Sequence, residues 1–153
     1  MRAGPAIAVL AETPHLATVA GWLHGEWWHA AGWSLAATAE FLESASGPSA
    51  PITWVATLDG QPAATATLDT DDLASRMDLS PWLASVFVAP GFRGRGLGRA
   101  LAAHAIATAR RLGHAELWLH TFTAEPYWRG FGFVPSGEER WAGGPTTLMR
   151  LAL

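Results

Sequence analysis

Cysteine is absent from this chain of 153 residues, so disulfides, thiolate-held metals and a cysteine nucleophile are excluded, and any thiol chemistry has to come with a second substrate. Lysine is absent too: all ten basic residues are arginine. Tyrosine occurs once, at Tyr127. No run of about eighteen apolar residues is present, and the first residues lack the basic-then-apolar layout of a leader, so the expectation is a soluble cytoplasmic protein with no membrane partner. A net charge of −3 lacks the basic footprint of a nucleic-acid binder, so none is expected as a partner. The six histidines show no spacing with carboxylates that would make a metal site, so no metal is expected.

What is present fits one domain over residues 1–153, half of it hydrophobic and able to fill an ordinary core. Nine tryptophans are unusual. Most are expected in the core with their indole N–H at an edge, leaving one or two for a pocket wall. Half of the arginines fall in one stretch, Arg93, Arg95, Arg99, Arg110 and Arg111, which suits a small polyanion better than a long one.

Along the chain, a short strand at 7–10 precedes Thr13-Pro14, a pair that suits a helix start, and Leu16, Val19, Ala20, Leu23 and Trp27 then form one helical stripe running toward Trp28. A second helix is expected over 34–44, stopped by Ser46-Gly47-Pro48-Ser49. Strand-like runs at 52–58 and 62–69 flank Asp59-Gly60, a favoured hairpin turn. A polar connection carrying Asp71, Asp72, Arg76 and Asp78 leads to a strand at 82–88. A helix follows with Leu97, Leu101, Ala105, Thr108, Ala109 and Leu112 on one face, ended by Gly113. The run 115–122 alternates as a strand between two layers does, so strand, helix and strand make a parallel crossover. A short helix over 124–129 and strands from Phe133 and over 146–151 complete the order.

Between the strand at 82–88 and its helix lies Arg93-Gly94-Arg95-Gly96-Leu97-Gly98. A helix start offers unpartnered N–H groups and about half a positive charge, glycines allow close approach, and the arginines add full charge, so the turn is an anion cradle. It is not a P-loop, since lysine and a hydroxyl residue are missing from the turn. A dinucleotide fingerprint would open the first βαβ unit, whereas this turn comes past mid-chain. With Val88-Ala89-Pro90 before it and Gly98-Arg99-Ala100-Leu101 after it, the pattern Arg-x-x-Gly-x-Gly resembles the acetyl-CoA motif of the GNAT (GCN5-related) N-acetyltransferases, and the order of elements is similar over nearly the whole chain.

The resemblance implies an α/β (α+β) acyl-CoA N-acyltransferase fold: a mixed central sheet of about six to seven strands flanked by helices, whose fourth and fifth strands splay to admit the cofactor arm. It implies acetyl-CoA as cosubstrate, held by the backbone of Val86, Phe87 and Val88 and, at the pyrophosphate, by Arg93, Gly94, Arg95, Gly96, Leu97, Gly98 and Arg99. Thr121 stands where many members have an asparagine touching the cofactor arm. The family's Phe-Tyr-x-x-x-Gly-Phe segment aligns so that Trp128 takes the position of the tyrosine acid, leaving Tyr127 beside it as the candidate phenol. The implied reaction is acetyl transfer to a primary amine of a small molecule or peptide by direct attack in a ternary complex. A catalytically degenerate CoA-binding sensor is the alternative that Trp128 raises. An amine with a pKa of about 10 needs a proton acceptor, for which His120 and Glu125 are the candidates. Asp71, Asp72, Asp78 and Glu26 either orient a cationic acceptor or are solvated. A homodimer is also an open expectation.

Overall fold

The computed structural model describes residues 4–153. Its strands are β1 (Ala6–Val9), β2 (Ile52–Leu58), β3 (Gln61–Asp69), β4 (Trp82–Val88), β5 (Glu116–Thr121), β6 (Val134–Trp141) and β7 (Gly144–Ala152). They form one mixed sheet of seven strands in the order β1-β2-β3-β4-β5-β7-β6, within the six to seven expected. The helices are α1 (Leu16–Leu23), which runs on into a π-helical turn at His24–Trp28, α2 (Leu35–Ser44), α3 (Leu97–Arg111) and α4 (Glu125–Arg129).

Local chemistry sets most of these limits. Ser34 caps α2, its side chain accepting from the Ala37 N–H at 3.0 Å. The β2–β3 hairpin turns at Asp59-Gly60, both at positive φ, as a primed turn requires. Thr13 does not cap α1: its hydroxyl donates to the Leu10 carbonyl at 2.8 Å and accepts from the His15 N–H, closing a 3-10 turn, so α1 starts after His15. The last strand is longer at both ends than the sequence pattern suggested, and β7 enters between β5 and β6.

Helix α3 covers one face of the sheet, burying Leu97, Leu101, Ala105 and Ala109 with Leu117, Leu119 and Met149. On the opposite face α1 and α2 bury Val19, Leu23 and Leu42 against Leu10 and Val55. A third cluster, Leu73, Trp82, Trp118 and Leu148, fills the space beyond α1 and α2.

The parallel neighbours β4 and β5 touch only at their starts. Trp82 registers with Trp118, and the Trp118 N–H donates to the Pro81 carbonyl at 3.0 Å. β5 instead stays in register with β7 throughout, from Glu116 opposite Ala152 to Thr121 opposite Thr147. The cause lies in β4. Thr65 pairs with Phe87 but Thr67 pairs with Ala84, so β4 carries one extra residue, and Ser85 takes φ 54° there. Such a bulge bends its strand, here away from β5.

Candidate active site

Where β4 and β5 part, a cleft of about 1120 Å³ opens. At one end is the glycine turn. Gly94 and Gly96 both have φ 76°, a conformation side chains rarely adopt, and a Cβ on either would meet nothing within 4 Å. The space over the turn is therefore open. Gly96 is the N-cap of α3 and has no side chain to satisfy the helix, so the N–H groups of Leu97, Gly98 and Arg99 have no helical partner and are free for an anion. Arg93 folds across the end of β4, its Nε donating to the Val88 carbonyl at 3.1 Å and its guanidinium lying 5.9 Å from the Phe87 ring centre. Arg99 lies over Phe131.

The cleft wall contains Val86, Phe87, Val88, Arg93, Gly94, Gly96, Leu97, Gly98, Arg99, His120, Thr121, Tyr127 and Trp128. Two residues expected at the site are not on it. Arg95 turns away onto the Phe92 ring, 5.6 Å from its centre. Glu125 sits in the first turn of α4 and is bound by Arg129 at 2.8 Å, four residues on. The side chains of Val86 and Val88 pack toward α3 and that of Phe87 toward α1 and α2. Thr121 is buried and its hydroxyl accepts the Ala124 N–H at 3.0 Å, shaping the turn into α4.

At positions 127 and 128 the two aromatic side chains differ. Trp128 is buried in the α3-side core, packed with Phe131 and Phe133. Tyr127 is exposed at 41%, and its hydroxyl stands over the first turn of α3, where a Cβ on Gly98 would come within 3.2 Å of it. Desolvation raises the phenol above its ordinary pKa, against a smaller lowering by Arg99, so it is protonated at neutral pH.

The other end of the cleft is acidic. Asp69, Asp71 and Asp72, at the end of β3 and just beyond, share the wall with Glu26. Asp72 meets His120 Nε2 at 3.0 Å, and His120 Nδ1 lies 2.9 Å from the Thr146 hydroxyl. With Nε2–H donating to the carboxylate and Nδ1 accepting from threonine, both ring nitrogens are engaged. His120 thus fastens the acidic loop to β5. The loop is also held by Arg76, which bridges Asp78 at 3.0 Å and Glu139 on β6 at 3.4 Å, so Asp78 belongs to this brace and not to the cleft.

Asp69 is the buried member, 8% exposed. Its Oδ1 accepts the Thr70 N–H at 2.8 Å, and no arginine or histidine pairs with it among the described residues. Burial, and then the neighbouring Asp72 and Asp71, push its pKa from 3.8 up to about 6, against the lowering by backbone N–H groups.

Tryptophan is less a core residue here than its patterning implied. Five of the nine, Trp27, Trp28, Trp33, Trp128 and Trp141, line the cleft. Trp28 and Trp33 lie 4.9 Å apart and both meet Phe41, while Phe122 and Trp141 pair at 5.7 Å. The stripe on α1 was legible, but the chain beyond Leu23 widens into the π-helical turn, which places Trp27 and Trp28 on the cleft wall. The Ser85 bulge and Asp69 were also missed. A carboxylate ending a strand just before Asp71-Asp72 was the available signal for the second.

The family model for the acetyltransferase (GNAT) family matches residues 17–133. The chain belongs to the GNAT acetyltransferases. No curated protein sequence matches it. Among solved structures, GNAT relatives share its fold along their whole length. The YncA protein of Salmonella typhimurium, solved with its cofactor acetyl-CoA, is 17% identical with a TM-score of 0.76, covering 98% of this chain and 94% of its own. A ribosomal-protein-alanine N-acetyltransferase of Brucella melitensis is 23% identical with a TM-score of 0.75, covering 97% and 99%. An aminoglycoside 6'-N-acetyltransferase complexed with coenzyme A is 14% identical with a TM-score of 0.75, covering 96% of both chains. At such identities these likenesses establish the GNAT fold.

Proposed function

We propose that this GNAT protein is a single acetyltransferase domain that moves the acetyl group of acetyl-CoA to a primary amine by direct attack, with both substrates held together. The observation that carries this is the one opening between β4 and β5, which joins a basic, glycine-lined end to an acidic one. The donor's pyrophosphate suits the free N–H groups of α3 with Arg93 and Arg99, and its arm suits the exposed edge of β4. The YncA relative with acetyl-CoA and the relative with coenzyme A support a CoA thioester as donor.

Within this reaction the β4 backbone beside the Ser85 bulge supplies N–H groups that stabilise the oxyanion formed when the amine attacks the thioester carbonyl. Tyr127, kept protonated by its partial burial, gives a proton to the departing sulfur. Trp128 has no acidic proton to offer and fills space behind it. Because the chain has no cysteine, the acetyl group passes to the amine without a thioester on the enzyme.

The test combines two measurements. Acetyl-CoA should raise the melting temperature through binding to the folded state, and thiol should be released from it when a primary amine is added. A melting shift without thiol release on any amine would make the protein a CoA-binding sensor. No shift would overturn the donor assignment.

A further inference from the structure

We propose that the acceptor is a primary amine carried on an aromatic or comparably broad apolar body, with Trp28, Trp33, Phe41, Phe122 and Trp141 holding the body and the Asp69 carboxylate receiving the amine and its proton. This rests on the acetyl-transfer reading of the cleft and specifies its acceptor end.

Six large hydrophobic side chains stand exposed among the described residues, and four of them, Trp33, Met77, Phe122 and Tyr127, are on the wall of this cleft. Apolar surface gathered in a concave site, and not scattered, marks a ligand surface. The rings come from two places: Trp28, Trp33 and Phe41 from the α1–α2 connection and α2, Phe122 and Trp141 from the ends of β5 and β6. Both sets of rings line the one cleft. A ligand rich in hydroxyl or peptide groups would lose water hydrogen bonds against such rings and gain few in return. An aryl or broad alkyl group loses nothing there and removes exposed ring surface from water.

The polar groups of this end are carboxylates. Among the described residues its basic side chain, His120, is already bound to Asp72 and Thr146. Asp69 is different: nine-tenths buried, on the cleft wall, oriented by the Thr70 N–H, and without a cationic partner among the described residues. Asp71 and Asp72 face it from the loop, with His120 behind Asp72, and Glu26 lines the same cleft from the π-helical turn after α1. A buried carboxylate beside two like charges is an unfavourable arrangement that a bound ammonium relieves. Its raised pKa, about 6, also suits a group that must take a proton near neutrality and release it again.

The protons balance. The ammonium gives one proton to Asp69, and the freed lone pair forms the N–C bond to the thioester carbonyl. The C–S bond breaks as the intermediate collapses, the second nitrogen proton passes to solvent, and the sulfur takes one up from water or from Tyr127, whose phenolate regains a proton from solvent. Amide and thiol are the products, and Asp69 returns its proton to solvent.

The experiment uses 2-phenylethylamine, kanamycin and a trialanine peptide as acceptors, with binding read separately as quenching of tryptophan fluorescence by 2-phenylethylamine in the presence of CoA. The expected result is quenching, together with kcat/KM for 2-phenylethylamine about 100-fold or more above the other two. The wild-type kcat/KM should fall tenfold per pH unit below about 6, where Asp69 is protonated, and be level above it. Asp69→Asn should lower kcat/KM by about 100-fold or more and replace the level region by a rise toward the amine pKa of about 10. Asp69→Glu should recover part of the rate and the level region. Kanamycin or the peptide serving as well, or an absence of quenching, would overturn the aromatic acceptor. An unchanged pH profile in Asp69→Asn would overturn Asp69 as the proton acceptor. If acetyl-CoA itself fails to shift the melting temperature, it is the underlying transferase reading that falls.

Discussion

The two ends of the cleft are built from different parts of the chain. The donor end is mostly backbone: two glycines at positive φ, the unpartnered N–H groups of α3 and the edge of β4, with arginines added at the rim. The acceptor end is made of side chains, carboxylates and indoles, borne by segments that meet only in the folded protein. A backbone site is coded by glycine spacing and survives side-chain variation around it. A side-chain site depends on burial, so its energetics change with each substitution. Under the proposed reading, the contrast teaches why one end would fix the kind of donor and the other would be free to determine the acceptor.

The strongest way to break the donor end is Gly96→Val. A β-branched residue at φ 76° is strained by roughly 1–3 kcal/mol, and its methyls occupy the open space above the turn. The melting shift given by acetyl-CoA should disappear; a retained shift would show that the phosphates lie elsewhere.

At the acceptor end the largest effect is on stability and runs opposite to activity. Between pH 3.8 and about 6 the folded chain holds a proton on Asp69 that the unfolded chain has released, so stability falls as pH rises through this window. Above it the shift corresponds to about 3 kcal/mol against the folded state. Asp69→Asn should therefore be more stable than the wild type at pH 8 by about 1–3 kcal/mol in urea titrations, and equal to it near pH 4. Loss of stability at pH 8 would mean that the carboxylate is a structural group.

Tyr127→Phe joins the two ends. It should lower kcat by roughly tenfold, the low end for a positioned proton donor, and leave the acetyl-CoA melting shift intact. Unchanged turnover would remove Tyr127 from the reaction. The smallest effects sort the arginines. Arg93→Ala, on the wall, should weaken acetyl-CoA binding by roughly tenfold, whereas Arg95→Ala, turned onto Phe92, should change it by less than about threefold.

The cradle was legible because its parts are consecutive in sequence: β4 starts and ends where its pattern indicated, Gly96 precedes α3 and Gly113 follows it. The splay of β4 from β5 came only with the family resemblance. Its physical cause, the bulge at Ser85, has no sequence mark because a residue other than glycine holds the positive φ. The placing of β7 between β5 and β6 is a long-range pairing that local periodicity does not encode. Asp69 looked like the last residue of a strand before a polar connection, but it stays paired in the sheet opposite Trp82 while His120 and Arg76 hold the loop that follows. His120 and Glu125 were candidates by their nearness in sequence to the expected reaction centre on the splayed strand. Packing gave each a different partner, Asp72 with Thr146 for one and Arg129 for the other.

The central claim is that donor and acceptor occupy the two ends of one cleft at the same time. Initial rates measured over a grid of acetyl-CoA and 2-phenylethylamine concentrations test it most directly. Double-reciprocal lines that intersect, with acetylated amine as the product, are predicted; parallel lines, the signature of an acetyl group parked on the enzyme between the two substrates, would contradict it.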